Sequence, residues 1–430
     1  MNKYKVKFLG IPVLKIREDN KIKTVSLFNS IPILKIKKKE EKKNFYYVDK
    51  NEINILYISN GGIGDVLISL VFLKKFYEKI QKDCDKKIYF HLLTNQNPKA
   101  ISLLAKKYDF IKNIFSIKRD FCDYGDINED NIDEIYSKSH IYMNCVMKRD
   151  FNNHKVLYYD HNTIDNNSKL AYYLDKMIDF IHTNPYINNT VNTNLYCLSN
   201  DKDIFSILDI DNSLGIDKNE KFEIEIPAEG YKVLDKYNLR NKRIITISRG
   251  VNATDNIVKK NNIRLWSMEY YNNLIKLIKQ KYKNVVVIQL GVSKDRCEAM
   301  KNVDLNLIGE TSFEELLCLL SVADLHIDGE CGMTHLRHFL SRKPSVVLFG
   351  PTSIRVKGYD ENINLKSDVC KCEFCEWVKG SDWQYFCLRS QNDESPCMKT
   401  LKPEYVFNEV VKSRILEKNG DKNDKQTRIY

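Results

Sequence analysis

Ile55-Leu-Tyr-Ile-Ser-Asn-Gly61-Gly62-Ile63-Gly64-Asp65-Val-Leu-Ile-Ser69 is the stretch on which the fold reading turns. An apolar run ends in three glycines within four positions, and a carboxylate follows at once. Ile55 to Ile58 have the β-branched and apolar content of a buried parallel strand, while Val66, Leu70, Leu73, Phe76 and Ile80 recur at helical spacing. The segment therefore reads as strand, tight turn and helix start. Glycine lets the backbone turn sharply and lets a ligand come close to it, and Asp65 stands at the helix mouth. Taken alone, the pattern also fits a packing turn with Asp65 as a helix cap.

A second constellation lies far downstream. Ala323-Asp-Leu-His-Ile-Asp328-Gly329-Glu330-Cys331-Gly332-Met333-Thr334-His335 repeats the order of strand, glycine turn and helix, and Pro344-Ser-Val-Val-Leu-Phe349-Gly350-Pro351-Thr352 is a buried strand closed by a turn. With the first motif, these resemble the bacterial heptosyltransferase family, glycosyltransferase family 9. That family has a Gly-Gly-x-Gly-Asp loop, an acidic-x-Gly-x-x-His turn and a Phe-Gly-Pro-Thr strand end in the same order. The resemblance spans roughly residues 53–411 and is strongest over 244–352.

The resemblance implies a GT-B arrangement, two Rossmann-like α/β domains facing a cleft, and an inverting transfer from a nucleotide-sugar. It makes Asp65 the expected base for the acceptor hydroxyl, on a loop formed with Gly61, Gly62 and Gly64. The donor diphosphate is expected at Gly332, Met333 and Thr334, where a helix N-terminus favours an anion. His335 reads either as a ligand or as a packed histidine of the first turn. The chain departs from the family in having Glu330 where Asp is usual, with a further acid at Asp328, and in having Arg264-Leu265-Trp266 where a Lys precedes the Trp by two residues. Arg264 keeps the charge that meets donor phosphate and adds a fork. Ser248 and Arg249 close a strand where phosphate contact is normal, and Asp295 is carried over as a ribose ligand. The implied donor is ADP-heptose, and the implied acceptor is a lipopolysaccharide, lipooligosaccharide or capsule glycan. Another nucleotide-sugar, a protein acceptor, or an inactive scaffold in a glycan-assembly complex are the competing readings.

A chain of 430 residues accommodates two full domains and appendages. The expected units are a basic extension over 1–50, an acceptor domain over 51–225, a donor domain over 226–366, a cysteine-rich loop and helix over 367–416, and a polar tail over 417–430. No run of about 18 apolar residues is present and no signal-peptide pattern opens the chain, so the expected location is cytoplasmic. The net charge is +11. Residues 1–50 hold 14 Lys or Arg against 5 Asp or Glu, a net of +9, so nearly all the imbalance lies there. No nucleic-acid-binding signature accompanies the block, and an anionic inner-membrane surface or an anionic glycolipid suits it better. The same segment repeats itself: Ile11-Pro12-Val13-Leu14-Lys15-Ile16-Arg17 returns as Ile31-Pro32-Ile33-Leu34-Lys35-Ile36-Lys37. Each copy reads as a short strand with proline at its start.

Twelve cysteines in such a compartment indicate buried thiols or metal ligands rather than disulfides. Cys372 and Cys375 have the spacing of a metal knuckle, and Cys387 and Cys397 can complete four thiolates, with Cys370 left over. Four sulfurs suit a structural zinc or iron ion. The resemblance supplies iron in the autotransporter branch, and no metal is expected in catalysis. Buried free thiols are the alternative.

Overall fold

The computed structural model describes residues 2–8, 11–18, 22–27, 31–37, 51–59, 61–116, 141–144, 157–159, 164–165, 168–183, 197–206, 209, 212–249, 263–293, 297–369, 387, 390 and 395–417. Met1–Lys50 and Asn51–Tyr430 pack as separate units. In the first unit, β1 (Asn2–Phe8), β2 (Ile11–Glu18), β3 (Ile22–Leu27) and β4 (Ile31–Lys37) form an antiparallel sheet in chain order. The sequence repeat is thus a repeat of hairpins. Each copy breaks register beside its proline, between Val6 and Lys7 opposite Pro12 and between Val25 and Ser26 opposite Pro32. A residue with no N–H to give to the ladder belongs at such a bulge.

The second unit holds two sheets. The first, in the order β7-β6-β5-β8-β9, comprises β5 (Glu52–Ser59), β6 (Lys87–Thr94), β7 (Ile111–Ser116), β8 (Ile141–Asn144) and β9 (Leu157–Tyr159), parallel except for β9. The second, in the order β12-β11-β10-β13-β14-β15, is parallel throughout: β10 (Arg243–Ile247), β11 (Val285–Gln289), β12 (Leu305–Asn306), β13 (Leu325–Gly329), β14 (Ser345–Phe349) and β15 (Ile363–Lys366). Both sheets reverse their strand order beside the first strand, between β5 and β8 and between β10 and β13. That reversal leaves a crevice at the carboxyl ends of the strands, where ligands bind in open α/β sheets. The two glycine turns quoted above follow β5 and β13, so both motifs sit at a reversal point.

The longer helices of this unit include α1 (Ile63–Gln81), α2 (Pro98–Leu104), α3 (Lys169–Thr183), α4 (Met268–Lys281), α5 (Phe313–Val322), α6 (Gly332–Ser341) and α7 (Pro403–Lys412). Helix α1 is buried on every side over Val66 to Leu73, as expected of a helix with packing partners all round. Each fully buried Leu or Ile there contributes about 1.5–3 kcal/mol relative to exposure. Beyond that stretch α1 turns polar, and Lys74 and Lys75 grip Glu220 at 3.2 and 3.0 Å. One apolar core runs from Ile55 and Phe76 of the first half to Leu336 and Phe339 of the second. A second core lies on the other face of the second sheet and takes in Trp266, Leu274, Val406 and Val410. Among the described residues no helix is long and apolar enough to cross a membrane. The fold is the parallel-sheet α/β architecture of GT-B type that the motif resemblance implies.

Candidate active site

Gly62 is the N-cap of α1, in extended backbone. Its N–H donates to Asp65 Oδ2 at 2.6 Å. The carboxylate thus supplies the N3 half of a capping box, the half that Gly62, having no side chain, cannot reciprocate. Asp65 is half-buried. The two readings of this residue are compatible, because a carboxylate that accepts one backbone bond keeps further acceptor capacity. Gly61 is clamped from the neighbouring strand: its N–H donates to Asn95 Oδ1 at 3.0 Å, and Gln96 Nε2 donates to its carbonyl at 2.5 Å. The sequence reading did not include Asn95 and Gln96. Their one sequence signal is a polar pair directly after the β6 run.

Gly64 and Gly332 are where the two halves meet. A Cβ on Gly64 would lie 2.7 Å from His335 Cδ2 and 3.1 Å from Gly332 Cα, and one on Gly332 would lie 2.4 Å from Ile63 Cγ2 and 3.1 Å from Gly64 N. Only residues without side chains permit that approach. The contact brings the N-termini of α1 and α6 together, so the Asp65 turn and the Glu330 turn face a common place.

On the second half, Ser248 follows β10, and its N–H donates to Ile327 O at 3.0 Å, continuing the pairing with β13. Arg249 donates through Nε to Trp266 O at 3.2 Å and through Nη1 to Glu298 Oε2 at 3.0 Å. Trp266 Nε1 is held by Leu401 O at 2.7 Å. Arg264 bonds Glu330 twice, through its carbonyl and through Oε2 at 2.7 Å. The guanidinium expected to meet donor phosphate is thus engaged by the carboxylate that replaces the usual Asp. Burial works against the charge on Glu330, but Lys357, Arg264 and His335 outweigh it and hold the carboxyl well below the usual carboxylate range. Lys357, on the turn of helix after the Phe349-Gly350-Pro351-Thr352 strand end, is a cation that the motifs did not single out.

His335 is buried at 4% exposure, with Nδ1 2.6 Å from the Tyr359 hydroxyl and Nε2 3.8 Å from Glu330 Oε1. Burial, then Glu361 and Asp203, push the Tyr359 phenol well above its ordinary range. It therefore keeps its proton, and its hydroxyl and His335 Nδ1 share one hydrogen bond that fixes the ring with Nε2 on the Glu330 side. Tyr359 in turn stacks on His338 with ring centroids 3.6 Å apart. His335 is thus a packed, oriented side chain within the site. Asp328 is a turn-former: it accepts from Gly329 N–H at 2.7 Å and from the Cys331 thiol at 3.0 Å. Burial and Asp328 raise the Cys331 pKa well above that of an ordinary thiol, which keeps it protonated. Thr334 turns its hydroxyl back to Cys331 O at 2.7 Å and its N–H to the same oxygen at 3.2 Å, so this first-turn amide points along the helix. Met333 is half-buried and packs against the shared core.

Asp295, Cys372 and Cys375 lie outside the described residues. Cys387 and Cys397 are buried free thiols, and Cys397 Sγ lies 2.8 Å from Ser395 Oγ. Among the described residues no three His, Cys, Asp or Glu side chains come together to hold a metal. Of the four cysteines expected as ligands, Cys387 and Cys397 are the two that the described residues include.

Residues 188–375 match the family model of glycosyltransferase family 9 (heptosyltransferase). No curated protein sequence matches the chain. The structure is similar to that of the glycosyltransferase family 9 protein of Veillonella parvula DSM 2008, at 13% identity over 87% of this chain and 100% of that one, with a TM-score of 0.50. It also aligns with ADP-heptose LPS heptosyltransferase II of E. coli, at 12% identity over 85% and 99% of the two chains and a TM-score of 0.48. A third likeness is to the iron-containing dodecameric glycosyltransferase TibC of enterotoxigenic E. coli H10407, at 13% identity over 91% and 81% and a TM-score of 0.48. At such identity a structural likeness speaks for the fold, and the similarity to the family rests on the sequence match over residues 188–375 and the three ordered motifs. Residues 188–375 are thus similar to the glycosyltransferase family 9 domain, and the chain is a glycosyltransferase.

Proposed function

We propose that the enzyme transfers heptose from ADP-heptose, with inversion, to a lipopolysaccharide, lipooligosaccharide or capsule acceptor. The observation that supports this reading is the Gly64–Gly332 contact, which brings the turn preceding Asp65 against the turn that the motif resemblance assigns to the donor. The acceptor oxygen attacks the anomeric carbon as the bond to the diphosphate breaks, and the hydroxyl proton passes to Asp65. The leaving diphosphate carries its charge towards the α6 N-terminus and the cations at Lys357 and Arg264. Arg264 can do this only by sharing its guanidinium with Glu330 or leaving it.

The Glu330–Arg264 pair also favours a second reading, transfer of a different sugar, because a longer carboxylate tied to an arginine alters the reach towards sugar hydroxyls. A panel of nucleotide-sugars assayed for acceptor-dependent release of the nucleotide separates the two. Turnover of ADP-heptose alone supports the first, turnover of another donor the second, and no turnover of any donor leaves the inactive scaffold.

A further inference from the structure

Strand pairing in the N-terminal sheet sorts its residues by charge. Lys3 pairs with Arg17 and Lys5 with Lys15, so these four share one face, and the alternation of β1 places Lys7 there too. Lys15 pairs with Ser26 and Arg17 with Thr24, and Thr24 pairs with Lys35 and Ile22 with Lys37, which carries the same face across to β4. Every lysine of β1, β2 and β4 and the only arginine of the sheet fall on this face. The one acid of these strands, Glu18, pairs with Asn2 and Lys23 on the other. That other face also carries Tyr4, Val6, Leu14, Ile16, Val25 and Leu34.

Two cross-strand pairs, Lys3 with Arg17 and Lys5 with Lys15, set like charges directly opposite each other, an arrangement that costs stability in an isolated sheet. A partner supplying a dense array of anions reverses that cost. The aromatic residues of these strands, Tyr4 and Phe8, belong to the opposite face, so among the described residues the cationic face offers no platform on which bases would stack. We infer that the cationic face of β1–β4 docks the enzyme onto an anionic phospholipid surface. The inference is independent of which sugar the active site uses.

The test is co-sedimentation of the full-length chain with vesicles of phosphatidylethanolamine and phosphatidylglycerol, with phosphatidylcholine vesicles and single-stranded RNA as comparisons. Binding is expected to the anionic vesicles alone and to fade as salt rises, because such attraction is screened within a Debye length. The combined variant Lys3→Gln, Lys5→Gln, Lys15→Gln and Arg17→Gln is expected to bind at least about 100-fold more weakly. Lys3→Arg with Lys5→Arg and Lys15→Arg should bind like the parent, and this conservative variant decides the matter if the Gln variant loses its sheet. Nucleotide-sugar turnover on a soluble acceptor should be the same in all forms, which separates this inference from the catalytic reading. Equal binding to neutral vesicles, full binding by a folded Gln variant, loss of binding in a folded Arg variant, or tighter binding to RNA than to vesicles overturns it.

Discussion

At Asp65 the carboxylate caps α1, and the proposed mechanism gives it a second task as the base; a substitution can separate the two. Asp65→Asn keeps an oxygen that accepts the Gly62 N–H, so α1 stays capped while the base is lost. Turnover is expected to fall by about 100-fold or more, with donor affinity within about tenfold of the parent, as measured by steady-state kinetics and calorimetry. A variant that turns over normally would remove Asp65 as the base. At Tyr359 the hydroxyl orients the His335 ring through the 2.6 Å bond to Nδ1. Tyr359→Phe leaves the ring stacked on His338 but removes the hydrogen bond that orients His335. The donor KM should rise several-fold with little change in melting temperature, and the His335 ring resonances should shift in NMR. A drop in stability with unchanged KM would make the hydroxyl purely structural. The motifs singled out Asp65 and His335, but not Tyr359 or Lys357. Those two reach the site from turns flanking β14 and β15, and no local pattern marks such an approach.

At the level of elements, the sheet of the first half carries a buried histidine. His91 accepts from Asn113 Nδ2 at 2.9 Å and donates from Nε2 to Asn54 Oδ1 at 2.7 Å, as a neutral ring does. Burial, reinforced by Lys112, lowers its pKa from 6.5 to about 3. Below pH 6.5 the unfolded chain binds a proton that the folded one refuses, so this contribution to stability is complete above pH 6.5 and is lost as pH falls towards about 3. At pH 5 the loss is about 2 kcal/mol. Melting curves at pH 7.5 and pH 5 should show it, and His91→Gln should flatten the slope by one proton. The cysteine loop allows a second prediction at this scale. If Cys372, Cys375, Cys387 and Cys397 hold a structural zinc or iron ion, elemental analysis of the full-length protein gives about one ion per chain. Cys375→Ser should then lose the ion and lower the melting temperature. Absent metal, with every thiol titratable, leaves these cysteines as buried side chains. The strand-turn-helix order of both motifs was legible because each is local, a buried run followed by glycine and helical periodicity. The N-terminal repeat was legible as strands, whereas the sorting of its charges appears only once register pairs them.

At the scale of the whole molecule, the two sheets of residues 51–430 share a core, and the turns that follow β5 and β13 touch at paired glycines. Gly64→Ala drives a methyl group into His335 and the Gly332 backbone, neither of which can yield without moving a helix. The expected cost is about 1–3 kcal/mol, with turnover falling further than stability because the Asp65 and Glu330 turns are pushed apart. Denaturant melts and kinetics on the one variant check both halves of that statement; unchanged values for both would mean that the halves do not meet here. The sequence by itself determined the α/β class, the two glycine turns and the family to which they point, since each depends on spacing within about fifteen residues. Tertiary structure alone decided that Gly64 lies on Gly332, that Arg264 is claimed by Glu330, and that Tyr359 orients His335. Those partners are far apart along the chain, and packing between elements, rather than any local periodicity, brings them together.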